Sequence, residues 1–193
     1  MTDTQLQTRR PLTHQEYFAL EEAEDQRYEY LAGEIFAMTG GSESHALIGT
    51  NTVAALVNAF RDKPCRVYGP DIKLHIAAHN KYCYPDGMVL CEAGKRHAQY
   101  VEEPSLIVEV LSESTEAYDR GLKFEHYRSI SSLRYYLLLS QERFHGELFH
   151  REAPDLWSFR EAIGESASIV LEEWNITLPL AELYRKVEFE NQG

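Results

Sequence analysis

No run in this 193-residue chain approaches the roughly 18 consecutive apolar residues of a membrane-crossing helix, so nothing in it is expected to span a bilayer. Positive charge is scarce: 19 Lys and Arg stand against 31 Asp and Glu, a formal net charge of −12. Nucleic-acid binders usually carry a basic footprint. This chain would have to meet a polyanion through a local basic patch, or through metal ions that neutralise its own carboxylates. Cysteine is sparse too. Cys65, Cys83 and Cys91 are too few and too irregularly spaced for a disulfide framework or a four-thiolate zinc site, which predicts three buried free thiols in a reducing, cytoplasmic interior. Met1 to Arg10 is polar and lacks the apolar segment of a secretory signal. Internal repeats, low-complexity runs, a nucleotide-binding glycine signature, a GxSxG elbow and an HExxH pair are all missing.

What is present suits one globular domain. A hydrophobic share of 44% is enough for a core without staples, and the length fits a single unit. Thr13 and Glu16 form a capping box that opens a helix to about Glu24. Extended runs on either side of Ala32-Gly33, from Arg27 to Met38, read as a hairpin. Ser42 or Ser44 caps a long helix to about Arg61, with Leu47, Ile48, Ala55, Leu56 and Ala59 as its apolar face. After Pro64 the period becomes two. Strands are predicted at Cys65 to Tyr68, Ile72 to Ala77 and Lys81 to Cys91, then a polar loop from Gly94 to Glu103. Leu106 to Leu111 reads as a central buried strand. Ser114 or Thr115 caps a helix to about Ser129, and Tyr135 to Leu139 is a second buried strand. A meander from Glu142 to Phe159 and a closing turn with a short helix, Ile176 to Tyr184, complete an α+β domain. That domain is expected to span residues 13–184, with flexible ends at 1–12 and 185–193.

Glu109 is the most informative residue. A carboxylate in the middle of Leu-Ile-Val-Glu-Val-Leu is costly to bury unless it is paired or bound to a cation. An edge strand facing water, or a structural ion pair, would explain it without function. Asp86 follows Pro85, and proline inside a strand marks an edge, a start or a bulge; its plainer reading is turn chemistry with Gly87. Two acids on adjacent strands can share one hard cation, since Mg²⁺ takes oxygen ligands and keeps several waters. Lys123 lies on the helix after the Glu109 strand, with Arg120 and Tyr127 on one face at i, i+3 and i+7. There it could stabilise developing negative charge, although a lone lysine usually marks a solvated face. His45, near a helix start, could shuttle a proton or touch a phosphate, with Glu29 and Glu34 in the preceding hairpin. His97, His126, His145 and His150 show no ligand spacing.

The ordered set Arg27-Tyr-Glu-Tyr-Leu-Ala-Gly-Glu-Ile-Phe-Ala-Met38, Ser44-His45, Tyr84-Pro-Asp86, Ile107-Val-Glu-Val-Leu-Ser-Glu-Ser-Thr115 and Tyr118-Asp-Arg-Gly-Leu-Lys-Phe-Glu-His-Tyr127 resembles the Uma-two family of restriction-endonuclease-like proteins, within the PD-(D/E)xK nuclease superfamily. The resemblance runs from about Thr13 to Leu183. It implies a restriction-endonuclease-like core of helix, three-stranded antiparallel meander, helix and strand, with hairpin additions at both ends. It implies Asp86 and Glu109 as the two motif acids. With the Val110 carbonyl they would hold Mg²⁺ or Mn²⁺, and Glu29 would hold a second metal or its water. His45 would contact the phosphate or assist proton transfer. The motif lysine, two residues past the second acid, is replaced by Leu111, so Lys123 becomes the candidate for a migrated lysine. The implied activity is Mg²⁺-dependent hydrolysis of DNA phosphodiester bonds by a homodimeric cytoplasmic enzyme. The alternative is a catalytically weak or inactive nucleic-acid or protein interaction module that keeps the fold.

Overall fold

The computed structural model describes residues 10–38, 40–91 and 95–189. Helix α1 (His14–Glu24) starts where the Thr13 side chain accepts the Glu16 amide and the Glu16 carboxylate takes the Thr13 amide; Asp25, left-handed at φ 49°, stops it. Strands β1 (Tyr28–Leu31) and β2 (Glu34–Ala37) turn at Ala32 and Gly33, whose φ values of 50° and 100° make the two-residue turn that suits a twisted hairpin. Helix α2 (Glu43–Ala59) is capped by Ser42, which accepts the His45 amide. Then come β3 (Cys65–Tyr68), β4 (Lys73–Ile76), β5 (Lys81–Cys83), β6 (Gly87–Cys91), β7 (Tyr100–Val101) and β8 (Leu106–Leu111). Helix α3 (Glu116–Tyr118), a π-helical turn at Asp119–Lys123, and α4 (Phe124–Arg128) lead to β9 (Tyr135–Ser140). The chain ends in β10 (His145–Ala153), β11 (Leu156–Ile163), β12 (Ser168–Leu171), β13 (Ile176–Pro179) and α5 (Leu180–Leu183).

The six-stranded main sheet runs β11-β10-β9-β8-β6-β3, with β8 and β9 parallel and the other neighbours antiparallel. Within it β3, β6 and β8 are successive antiparallel neighbours, although β4 and β5 intervene in the chain and join the other sheet; a helical segment and β9 follow. Both faces of β8 are covered, which is why that strand reads as a nearly continuous apolar run. One face carries Val108, Val110, Leu137 and Leu139 against Ile48 and Leu56 of α2 and against β12–β13. The other carries Ile107, Leu111, Tyr136 and Leu138 against Leu74, Ile76 and Tyr127. The smaller sheet, β2-β1-β5-β4-β7, packs an aromatic cluster of Tyr17, Tyr30 and Tyr82 beneath α1.

Four expectations need correction. Lys81 to Cys91 is not one strand: it breaks at Tyr84-Pro85-Asp86, and β5 and β6 belong to different sheets, because Pro85 cannot continue a ladder. The polar loop before Glu103 contains β7, which pairs with β4. The helix after β8 is interrupted by the π-helical turn, and the Thr115 side chain makes no capping bond. Cys65 and Cys91 are not free thiols; they face each other in the β3–β6 register and form a disulfide, leaving Cys83 as the buried free cysteine among the described residues. The described parts of the expected flexible ends are docked. The Leu12 amide donates to the Gly33 carbonyl at 2.9 Å, and the Asn51 side chain donates to the Arg185 carbonyl at 2.9 Å. Residues 1–9 and 190–193 lie outside the described residues. No helix among the described residues is long and apolar enough to cross a membrane.

Candidate active site

Glu109 stands in the middle of β8, between β6 and β9, and is 3% exposed. Its Oε1 accepts from the Tyr127 hydroxyl at 2.6 Å and faces Lys123 Nζ at 2.9 Å. The π-helical turn brings Lys123 there. It buries both Asp119 and Lys123 while Leu122 faces outward, and Lys123 Nζ lies 3.1 Å from Asp119 Oδ1. A third carboxylate, Glu29 on β1, is 3.9 Å from the same nitrogen. The other Glu29 oxygen is 3.6 Å from Nζ of Lys81, which is 1% exposed and donates to the Tyr118 hydroxyl at 2.7 Å. Two buried ammonium groups therefore share Glu29.

Asp86 enters from the crossover between the sheets. Its Oδ2 accepts the Val110 amide at 2.7 Å, which fixes it beside the residue next to Glu109, and His45 Nε2 lies 3.4 Å from the same oxygen. Gly41 leaves room for the imidazole: a Cβ on Gly41 would stand 2.9 Å from the His45 ring. His45 and Asp86 open onto a cleft of about 690 Å³. Arg120, expected to help orient Lys123, is turned elsewhere. Its guanidinium pairs with Glu147 and Glu116, because the π-helical turn breaks the i, i+3 register that would have kept it on the lysine's face.

Burial pushes Glu109 up to about 8, against the pull of Lys123; Asp86 and Asp119 add to the rise. Burial works against charge on Lys123 as well, but Glu109, Asp119 and Glu29 outweigh it and hold the ammonium well above its usual range. His45 is raised by its hydrogen bond to Asp86, with burial opposing. An acid whose folded pKa exceeds its unfolded value binds its proton preferentially in the folded state. Its contribution is therefore fully present below about 4.5 and fades as the pH climbs toward 8. In urea melts with EDTA at pH 5, 6.5 and 8, Glu109→Gln is expected to gain stability relative to wild type as the pH rises. A constant difference between the two proteins would contradict this environment for Glu109.

Asp119, Lys81 and Tyr118 were not singled out by the sequence. Asp119 had a signal, standing four residues before Lys123. Lys81 had none, since a lysine opening a strand normally marks an exposed edge.

One oxygen each of Asp86 and Glu109 carries the protein hydrogen bonds; the second of each has none among the described residues. Both groups offer carboxylate oxygens, the donor type that suits a hard divalent cation. Among the described residues no three His, Cys, Asp or Glu side chains converge as a ready-made metal cage. A cation here would keep several waters, as Mg²⁺ does.

A family model, Uma2, described as "Putative restriction endonuclease", matches residues 14–181. The chain belongs to the Uma2 family. Two curated Synechocystis proteins align with it over most of their lengths. Uncharacterized protein slr1290 is 35% identical over 92% of this chain and 94% of its own. Uncharacterized protein sll1609 is 34% identical over 84% of this chain and 93% of its own. The Uma2 fold is matched by a crystal structure from Anabaena variabilis titled a putative nuclease of DUF820, with a TM-score of 0.71, 15% identity, and coverage of 90% of this chain and 98% of that one.

Proposed function

We propose that this Uma2 protein is a metal-dependent nuclease that hydrolyses DNA phosphodiester bonds at the Asp86–Glu109 site. The observation that carries this reading is a charge deficit. Four carboxylates, Glu29, Asp86, Glu109 and Asp119, gather around Lys81, Lys123 and the His45 imidazole, so with every group ionised the cluster is short of about one positive charge, and the rise of Glu109 is its answer to that shortage. Uncompensated buried carboxylates are costly, and one divalent cation offsets the shortfall.

Asp86, Glu109 and the Val110 carbonyl would hold Mg²⁺ or Mn²⁺. Such a cation supplies Lewis-acid stabilisation of the phosphate and a bound water of lowered pKa. Lys123 Nζ pulls Glu109 toward its ionised form against its burial, and would stabilise the charge that develops on the phosphoryl oxygens. Tyr127 fixes the Glu109 carboxylate. Glu29 is assigned to holding the two lysines in place, rather than to a second metal. His45, whose pKa is raised by its hydrogen bond to Asp86, is assigned to delivering a proton to a leaving oxygen.

Calorimetric titration with Mn²⁺ tests the site. Asp86→Asn and Glu109→Gln are expected to weaken binding at least about tenfold and to lower Mn²⁺-dependent DNA cleavage by a factor on the order of 10² or more. Mn²⁺ binding that ignores both substitutions would remove the nuclease reading. The net charge of −12 favours the second reading, an interaction module. That module would bind its partner without Mn²⁺-dependent cleavage.

A further inference from the structure

The cleft beyond Asp86 and His45 is lined by Ala46, Gly49 and Val53 of α2, and by Gly69 and Pro70 as a second wall that meets the first where Val53 lies 4.0 Å from a Cβ on Gly69. Arg27 braces the second wall: it donates to the Pro70 carbonyl at 3.2 Å and pairs with Asp71. The volume, about 690 Å³, falls in the range of small-ligand sites.

Gly49 is the telling residue. It lies in the interior of a 17-residue helix, where glycine is unfavourable relative to alanine because of its backbone entropy. Two reasons commonly retain such a glycine, and neither applies. Its φ is not left-handed, and among the described residues nothing beyond its own stretch of helix backbone lies within 4 Å of where a Cβ would sit. The missing Cβ leaves room only in the cleft. Gly40, at the same cleft, likewise meets nothing within 4 Å.

Charge narrows the occupant. A duplex brings two phosphate backbones, and its binders neutralise several phosphates with Lys and Arg. Here Arg27 is the one Lys or Arg among the described lining residues, already paired with Asp71, while Asp25, Asp71 and Asp86 share the lining. A ligand with one phosphate at the catalytic site and a flat, weakly charged body fits these walls. We propose that the cleft seats the base and sugar of one unpaired nucleotide, with the base lying between the Gly49 wall and Pro70. The substrate is thus a single-stranded or locally unpaired nucleic acid. This rests on the nuclease reading for the identity of the phosphate-bearing ligand.

Binding of a labelled six-nucleotide single strand, read by fluorescence anisotropy with Ca²⁺ in place of Mn²⁺, tests the seat. Wild type is expected to bind the strand at least about tenfold more tightly than a duplex of the same sequence. Gly49→Leu should weaken binding about tenfold or more, the scale of losing one base-stacking platform. Ala54→Leu, which adds the same bulk on α2 away from the cleft, should leave binding unchanged. Gly49→Ala should raise the thermal midpoint by about 3 °C, because it improves the helix, while still weakening the strand. Stability and binding then move in opposite directions, which a folding defect cannot mimic. Wild-type affinity in Gly49→Leu, no binding of the strand by wild type, or a preference for duplex would each overturn the proposal. The nuclease reading fails separately. In that case the strand still binds and still depends on Gly49, but Mn²⁺ produces no cleavage that requires Asp86.

Discussion

Replacing Lys123 with alanine will lower Mn²⁺-dependent cleavage by a factor on the order of 10² or more and destabilise the metal-free protein by about 3–5 kcal/mol, the scale of breaking a buried ion pair from one side. Both effects follow from the same nitrogen. Lys123 Nζ lies 2.9 Å from Glu109 and 3.1 Å from Asp119, with Glu29 at 3.9 Å, and all three carboxylates are largely shielded from water. Without the ammonium they face one another with only Lys81 nearby. Mn²⁺ is expected to recover much of the lost stability, because a ligand that binds only the folded state stabilises it by mass action. Urea melts with and without Mn²⁺, together with single-turnover cleavage at a temperature where the variant is folded, measure the two effects. A folded Lys123→Ala protein that cleaves at the wild-type rate would end the migrated-lysine role and leave His45 as the next candidate.

A second large effect is expected far from the chemistry. Gly33→Ala should cost about 3 kcal/mol and lower the thermal midpoint by roughly 10 °C. Gly33 sits at φ 100°, where side chains other than glycine's hydrogen are strained, and a Cβ there would lie 2.2 Å from Pro11 Cβ and 2.9 Å from Pro11 Cα. The second of these is backbone and cannot swing aside. The segment it would push away is held by the Leu12–Gly33 bond and by the Tyr30 hydroxyl on the Leu12 carbonyl at 2.8 Å. Calorimetry of the variant checks this; an unchanged midpoint would mean that residues 10–12 are not docked in solution.

The sequence made legible those features that depend on neighbours along the chain. Thr13 with Glu16, the turn at Ala32-Gly33, and the apolar runs of β8 and β9 each carry their own local signal, and each was found in place. What escaped depends on partners distant in sequence. Pro85 announced a break in the strand, but not that the chain would change sheets there. Cys65 and Cys91 become neighbours only through the β3–β6 register. Asp119 and Lys81 look like ordinary solvated charges until the π-helical segment and the smaller sheet meet around Glu29. Glu109 was conspicuous because its own strand contradicts it. Its partners Tyr127 and Lys123 carry a weaker signal, because a tyrosine on a helix reads equally as core and a lysine as surface.

The π-helical turn at Asp119–Lys123 also bears on how this lysine could have changed position over evolutionary time. A π-helical turn is what an α-helix becomes when it absorbs one extra residue, and such turns recur at functional sites. Here Leu122 is turned outward while Asp119 and Lys123 are turned in. A single-codon insertion or deletion there would rotate the lysine relative to Glu109 by about a hundred degrees, the angle one residue subtends in a helix. Length variation, more than substitution, is then the route by which relatives would gain or lose this cation, and gaps in this stretch of an alignment would be functional differences rather than loop noise.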